Sequence, residues 1–229
     1  MRENGGGVIV NTSSTSGLIG NFGQAEIKMI KFVETNAARC GIPAQVADQM
    51  KVLDTLHTSE VKVSIIDVRA GLLSRTLKDM TDIGFFDAVE NREFKFALFH
   101  VLGPSVASLS EIEDVMPFTE NGEYFVVKNH INETNFFEWD QDTYDRYFKR
   151  SRRATHEINV PKLNEMAYEQ ADVAGVTFKD FIDNRAADGS QGKFSFVLRG
   201  YVRKWCSEID AEFAHVKMLQ DVLSGGRQQ

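Results

Sequence analysis

Short, strongly apolar runs alternate along the chain with longer amphipathic stretches. Several of the short runs are almost entirely apolar, such as VSIID, FALFHV and YFVV. Strands have this composition when helices cover both faces of a parallel sheet. The predicted strands are Val8–Asn11, Lys28–Glu34, Val61–Asp67, Phe94–Val101, Glu123–Asn129 and Glu157–Pro161.

The amphipathic stretches between and after these strands predict helices. The longest runs from about Phe194 to Leu223 and carries an apolar residue at every fourth position, namely Val197, Tyr201, Trp205, Ile209 and Phe213. The others are Ala44–Leu56, Ser105–Val115, Trp139–Ser151 and Leu163–Ala174. Alternating strands and helices predict an α/β fold: a mostly parallel, open sheet with right-handed crossovers, helices on both faces and a long C-terminal helix.

Composition restricts the classes of protein that fit this pattern. With 229 residues and 42% hydrophobic residues, the chain has the material for one large domain with a sizeable core. A net charge of −7 does not favour non-specific binding to nucleic acid. Cys40 and Cys206 provide neither a disulfide framework nor metal-ligand spacing. No apolar run has the length of a membrane span, so we expect a cytoplasmic protein, with residues 225–229 as a flexible tail.

The first strand continues into a segment rich in Ser and Gly, VIVNTSSTSGLIGNFGQ. The strand, the Asn-x-Ser-Ser string and Gly-x-x-Gly-x-x-Gly-Gln together resemble the short-chain dehydrogenase/reductase family, over residues 5–25. The resemblance implies that Ser14 hydrogen-bonds a substrate carbonyl and that NAD(P) is the cofactor. At the position of the family's tyrosine stands Ile27, which has no proton to donate, and Lys31 stands at the lysine position. We therefore expect residues 1–25 to be a dehydrogenase-like segment joined to a different domain, with a dehydrogenase remnant as the alternative.

The later strands end in polar residues or proline in a definite order. VKVSIID ends at Asp67, FKFALFHV runs into a Gly-Pro turn, EYFVVKN ends at Asn129, and EINVP ends at Pro161. This series resembles the ParA/MinD-type family of P-loop ATPases, over residues 28–223. The resemblance implies ATP and Mg²⁺ as cofactors, with Asp67 as a Walker B-like carboxylate that assists Mg²⁺ and the attacking water. It also implies that Asn129 binds the adenine edge and that Pro161 lies beside the base.

Purely structural roles remain open for the same three residues. Asp67 would then cap a turn, Asn129 would bond a loop backbone, and Pro161 would only end a strand.

The phosphate-binding loop of that family, K-G-G-x-G-K-[ST], has no counterpart in the chain. The closest string, DGSQGKFS, precedes the last long helix and predicts a loop. We therefore expect residues 26–224 to form a truncated or degenerate ParA/MinD-like ATPase domain without Walker A, related to plasmid or chromosome partition and inactive alone. A third hypothesis is a non-enzymatic protein-interaction module on an ATPase scaffold.

One basic cluster suggests a partner surface. KRSRR supplies Lys149, Arg150, Arg152 and Arg153, which would contact a DNA backbone or a cargo protein, or else form a solvated helix end. A homodimer is implied by the ATPase resemblance alone. The five histidines contain no pair at i and i+4, so apart from Mg²⁺ at Asp67 no metal site is expected.

Overall fold

A six-stranded parallel sheet organises the molecule. The computed structural model describes residues 6–12, 27–31, 63–68, 71–102, 109–120, 122–130, 142 and 156–217. Its strands run in the spatial order β2-β3-β1-β4-β5-β6, and every pair is parallel. They are β1 (Gly6–Thr12), β2 (Ile27–Lys31), β3 (Val63–Val68), β4 (Phe94–Leu102), β5 (Glu123–Asn129) and β6 (His156–Val160).

The six predicted strands are all present, and their parallel pairing is confirmed. Five of them differ from the prediction at one or both ends, whereas Glu123–Asn129 is found with its predicted limits. β1 lies inside the sheet, where it pairs with both β3 and β4. Segment 1–25 and segment 26–224 therefore contribute strands to the same sheet.

The described helices follow β3, β4 and β6 along the chain. They are α1 (Leu73–Asp82), α2 (Phe85–Glu90), α3 (Ser110–Val115), α4 (Glu165–Ala174), α5 (Phe178–Ile182) and α6 (Phe196–Phe213), with a 3-10 turn over Met116–Thr119. The sequence pattern missed α1, α2 and α5. Predicted helix Ala44–Leu56 and nearly all of Trp139–Ser151 lie outside the described residues. DGSQGKFS lies in the loop before α6, as predicted.

Side chains alternate between the two faces of the sheet along each strand, so each face presents apolar residues of its own. Helices cover both faces. On one face, strand residues such as Ile66, Leu98 and Val126 pack against α1, α2 and α3. On the other face, Ile65, Phe99 and Val127 share a cluster with Trp205 of α6. The α/β architecture with an open parallel sheet is therefore confirmed.

The apolar repeat in α6 does not mark a single buried face. Four residues rotate a helix by about 40° beyond a full turn, so the repeat winds around the axis. Val197 is 61% exposed and Tyr201 48%, whereas Trp205, further along the repeat, is only 8% exposed. The first half of the repeat thus faces solvent and the second half faces the sheet.

Two glycines give opposite predictions for substitution by alanine. A Cβ on Gly122 would lie 2.9 Å from the carbonyl oxygen of Phe96, whereas a Cβ on Gly200 in α6 meets nothing within 4 Å. We expect Gly122→Ala to destabilise the fold by about 1 to 3 kcal/mol. Gly200→Ala is expected to stabilise it by about 0.5 to 1 kcal/mol, because alanine is the better helix former. Urea unfolding of the two variants measures both values, and equal shifts of the same sign would contradict the described backbone.

Candidate functional site at the carboxyl edge of the sheet

The strand order creates a candidate ligand site at the carboxyl ends of β1 and β4. These two strands are neighbours, yet the chain leads from β1 to β2 on one side and from β4 to β5 on the other. Open parallel sheets bind ligands outside the carboxyl ends of strands where the connections diverge in this way. The segment that follows β1 in the sequence and carries the spaced glycines lies outside the described residues.

Asp67 lies near the carboxyl end of β3, the strand beside β1. It is opposite Asn11 of β1 and Lys31 of β2 in the strand register. Its side chain is half-buried on the face that carries Ile65, and its Oδ1 oxygen is shielded from solvent. A carboxylate in this place could supply one oxygen ligand to a metal ion bound at the edge. Mg²⁺ in phosphate sites uses one or two carboxylates and keeps several waters, which fits a single aspartate.

Asn129 and Pro161 lie together at the other end of the same edge. Asn129 ends β5 opposite Val160, the last residue of β6, and Pro161 follows directly. Asn129 alternates with Val127, so it projects on the same face as Asp67. The backbones of Asn129 and Pro161 are therefore close at this end of the edge, and their contact with a base stays a prediction.

Asp67 lies too far from these two residues to contact the same small group. β1 and β4 separate β3 from β5, which is about 14 Å across the sheet. When the strand register is followed from β3 through β1 and β4 to β5, Phe125 is level with Asp67. Asn129 comes four residues after Phe125, so it also lies about 13 Å further along the strands than Asp67. A ligand that reaches both ends of the edge must therefore be elongated.

Charged and polar side chains surround the Asn129 end. The ammonium of Lys128 is 2.6 Å from Oε2 of Glu157, with the two side chains 13% and 29% exposed. Nε2 of His130 is 3.4 Å from Oδ1 of Asn159. Because Lys128 and Glu157 alternate with buried apolar residues, this ion pair lies on the face opposite to Asn129. The sequence did not predict the pair, since its partners come from different strands.

A buried polar pair lies between β4 and β5, on the face of the sheet covered by α1, α2 and α3. Nδ1 of His100 is 2.9 Å from the hydroxyl of Tyr124. Burial lowers the pKa of His100 to about 4, so the imidazole is neutral at neutral pH. Burial first, and then the charge of Glu111, raise the pKa of the Tyr124 hydroxyl well above its usual range. The sequence showed only a histidine within an apolar strand, and the tyrosine partner is set by the alignment of β4 with β5.

Several predicted residues lie outside the described part of the chain. These are Ser14 and the basic cluster Lys149, Arg150, Arg152 and Arg153, so the substrate contact and the DNA or cargo contact stay predictions. Across the described ranges, no three His, Cys, Asp or Glu side chains gather in a way that could hold a metal ion. Across the same ranges, no helix has the combination of length and apolar character needed to cross a bilayer.

Comparison with known proteins finds no family model, no curated protein and no solved structure that matches the chain.

Proposed function

We propose that the chain is a degenerate ParA/MinD-like ATPase domain that binds a nucleoside triphosphate with Mg²⁺ along the carboxyl edge of its sheet. The observation that carries the proposal is the strand order, which puts the Asp67 strand beside β1 and next to the point where the connections diverge. An anion at that point would have a carboxylate within reach of its Mg²⁺, while Asn129 and Pro161 would meet the far end of the same ligand.

The shape of the edge supports a nucleotide over a compact ligand. The Asp67 end and the Asn129 end lie too far apart for one small group, whereas an extended nucleoside triphosphate has a charged end and a base end. Asn129 provides an amide, which pairs with the edge of a base through one donor and one acceptor. Pro161 provides a flat apolar ring for the face of the base.

Turnover is expected to be slow. Phosphoryl transfer in P-loop enzymes depends on a backbone cradle and a lysine that neutralise charge in the transition state. The chain has no G-x-x-x-x-G-K-[ST] string, so these groups are not provided in their usual form. We therefore propose that the chain alone binds a nucleoside triphosphate but hydrolyses little of it. A role in plasmid or chromosome partition would then depend on the nucleotide-bound form and not on turnover.

Replacing Asp67 tests the proposal. We expect wild-type protein to bind ATP saturably in Mg²⁺, and Asp67→Asn to weaken this binding about tenfold, the effect of one lost charge-assisted contact. In EDTA the two proteins should bind ATP equally weakly. Isothermal titration calorimetry measures all four constants.

Asp172→Asn is the matched control, because Asp172 is an exposed carboxylate on α4 and belongs to none of the strands that form the edge. Absence of saturable ATP binding by the wild type would contradict the nucleotide proposal. Saturable NADPH binding in its place would favour the dehydrogenase alternative with Ser14.

A further inference from the structure

Two side chains of α6 hold the backbone that forms the base end of the proposed site. Nε1 of Trp205 donates a hydrogen bond to the carbonyl oxygen of Pro161, at 2.6 Å. The backbone N–H of Asn159 donates to Oε2 of Glu212, at 2.7 Å. Both side chains belong to α6, and their backbone partners are two positions apart at the carboxyl end of β6.

These two hydrogen bonds matter because β6 is the outermost strand on its side of the described sheet and has a strand neighbour, β5, on one side only. On its inner side, β6 pairs with β5, and the N–H of His130 extends that pairing to the carbonyl of Val160. On its outer side, α6 supplies the partners described above. Pro161 has no backbone N–H, so its carbonyl is the only main-chain group by which a hydrogen bond can fix it.

The helix that supplies the two partners is itself firmly anchored. Trp205 is 8% exposed, and its ring meets that of Phe178 edge to face at 5.2 Å between centroids. Near the end of the helix, the ring of Phe213 lies 5.6 Å from that of Phe99 in β4. Side chains held in this way transmit a fixed position to the backbone that they bind.

We infer that Trp205 and Glu212 are positioning residues for base recognition: through Pro161 and Asn159 they fix the end of β6 against Asn129. The inference rests on the proposed nucleotide site. Neither residue touches the nucleotide in this arrangement. Their effect is confined to the base end, since three strands separate β6 from the strand that carries Asp67.

Comparing ATP with inorganic triphosphate separates the two ends of the ligand. Trp205→Phe keeps an aromatic ring and removes the indole N–H. We expect it to weaken Mg²⁺-dependent ATP binding about five- to tenfold, the equivalent of one hydrogen bond, and to leave triphosphate binding unchanged. Glu212→Ala should act in the same way, and Glu212→Gln should restore most of the ATP affinity because an amide oxygen still accepts the N–H of Asn159.

Matched controls come from the same helix. Tyr201→Phe alters an exposed aromatic residue one turn earlier, and Glu208→Gln alters a carboxylate that pairs with Lys204. Both controls should bind ATP and triphosphate as the wild type does. The Glu212 variants keep Trp205 in the core, so they test the inference even if Trp205→Phe fails to fold.

The outcomes separate the inference from the proposed function. If Glu212→Ala weakens ATP and triphosphate equally, or weakens neither, the positioning role is wrong while the nucleotide site stands. If the wild type binds triphosphate no more weakly than ATP, the base end contributes nothing and the inference is again wrong. If the wild type binds neither ligand, the proposed function fails, and the inference fails with it.

Discussion

Phe85→Ala should lower the free energy of unfolding by about 3 to 5 kcal/mol, the usual cost of removing a fully buried phenylalanine. Phe85 is 0% exposed at the start of α2. Its ring is perpendicular to that of Phe96 at 5.7 Å and stacked with that of Phe94 at 6.2 Å, so α2 is fixed to β4 through aromatic contacts. Alanine would leave a cavity between the helix and the sheet.

Phe196→Ala is the matched control for this substitution. Phe196 also lies in the first turn of a helix, but it is 76% exposed. Its loss should change the free energy of unfolding by no more than about 0.5 kcal/mol, as surface substitutions generally do. Urea unfolding at neutral pH measures both variants, and similar losses from the two would show that α2 does not pack on β4 as described.

Acidification should destabilise the fold through His100. An unfolded chain protonates histidine with a pKa near 6.5, whereas in the folded protein burial lowers the pKa of His100 to about 4. Between these values the unfolded state binds more protons, so the contribution of His100 is complete above pH 6.5 and is lost as the pH falls toward 4. The full difference corresponds to about 3 kcal/mol.

His100→Asn should remove most of this pH dependence, because asparagine has no proton to bind in this range. The variant loses stability at pH 7 through the cavity that it creates, yet its further loss between pH 7 and pH 4.5 should be about 2 to 3 kcal/mol smaller than that of the wild type. Urea unfolding at the two pH values gives each difference, and equal losses for wild type and His100→Asn would show that His100 does not titrate as a buried neutral group.

The strands of the sheet were predictable from the sequence because a strand buried on both faces is a continuous run of apolar residues. FALFHV and YFVV are apolar at nearly every position, and β4 and β5 are found where these runs lie. α1 was missed since the polar segment SRTLKDMTDIG hides its apolar stripe among charged residues, and α2 was missed because its six residues are too few to show a helical repeat. The burial of Phe85 in α2 depends on Phe94 and Phe96, which come after it in the chain.

The candidate site was predictable only in part, for a similar reason. Asp67, Asn129 and Pro161 are visible in the sequence because each ends an apolar run, and parallel strands bring such ends to one edge. Their arrangement along that edge depends on the strand order, which no local pattern encodes. The bonds from Trp205 and Glu212 to the end of β6 depend on how α6 winds: the four-residue repeat includes Trp205, but only the turn of the helix directs it to the sheet.

The interior position of β1 also has a consequence for synthesis. β1 leaves the ribosome before both of its neighbours, because it pairs with Val63–Val68 on one side and with Phe94–Leu102 on the other. Neither neighbour exists until much later residues have been made, so β1 cannot bury its backbone groups during early translation. Such distant pairings also slow folding in general. We therefore expect nascent chains that stop before Phe94 to be protease-sensitive in β1 and to depend on chaperones. The sensitivity should fall once β4 has left the exit tunnel.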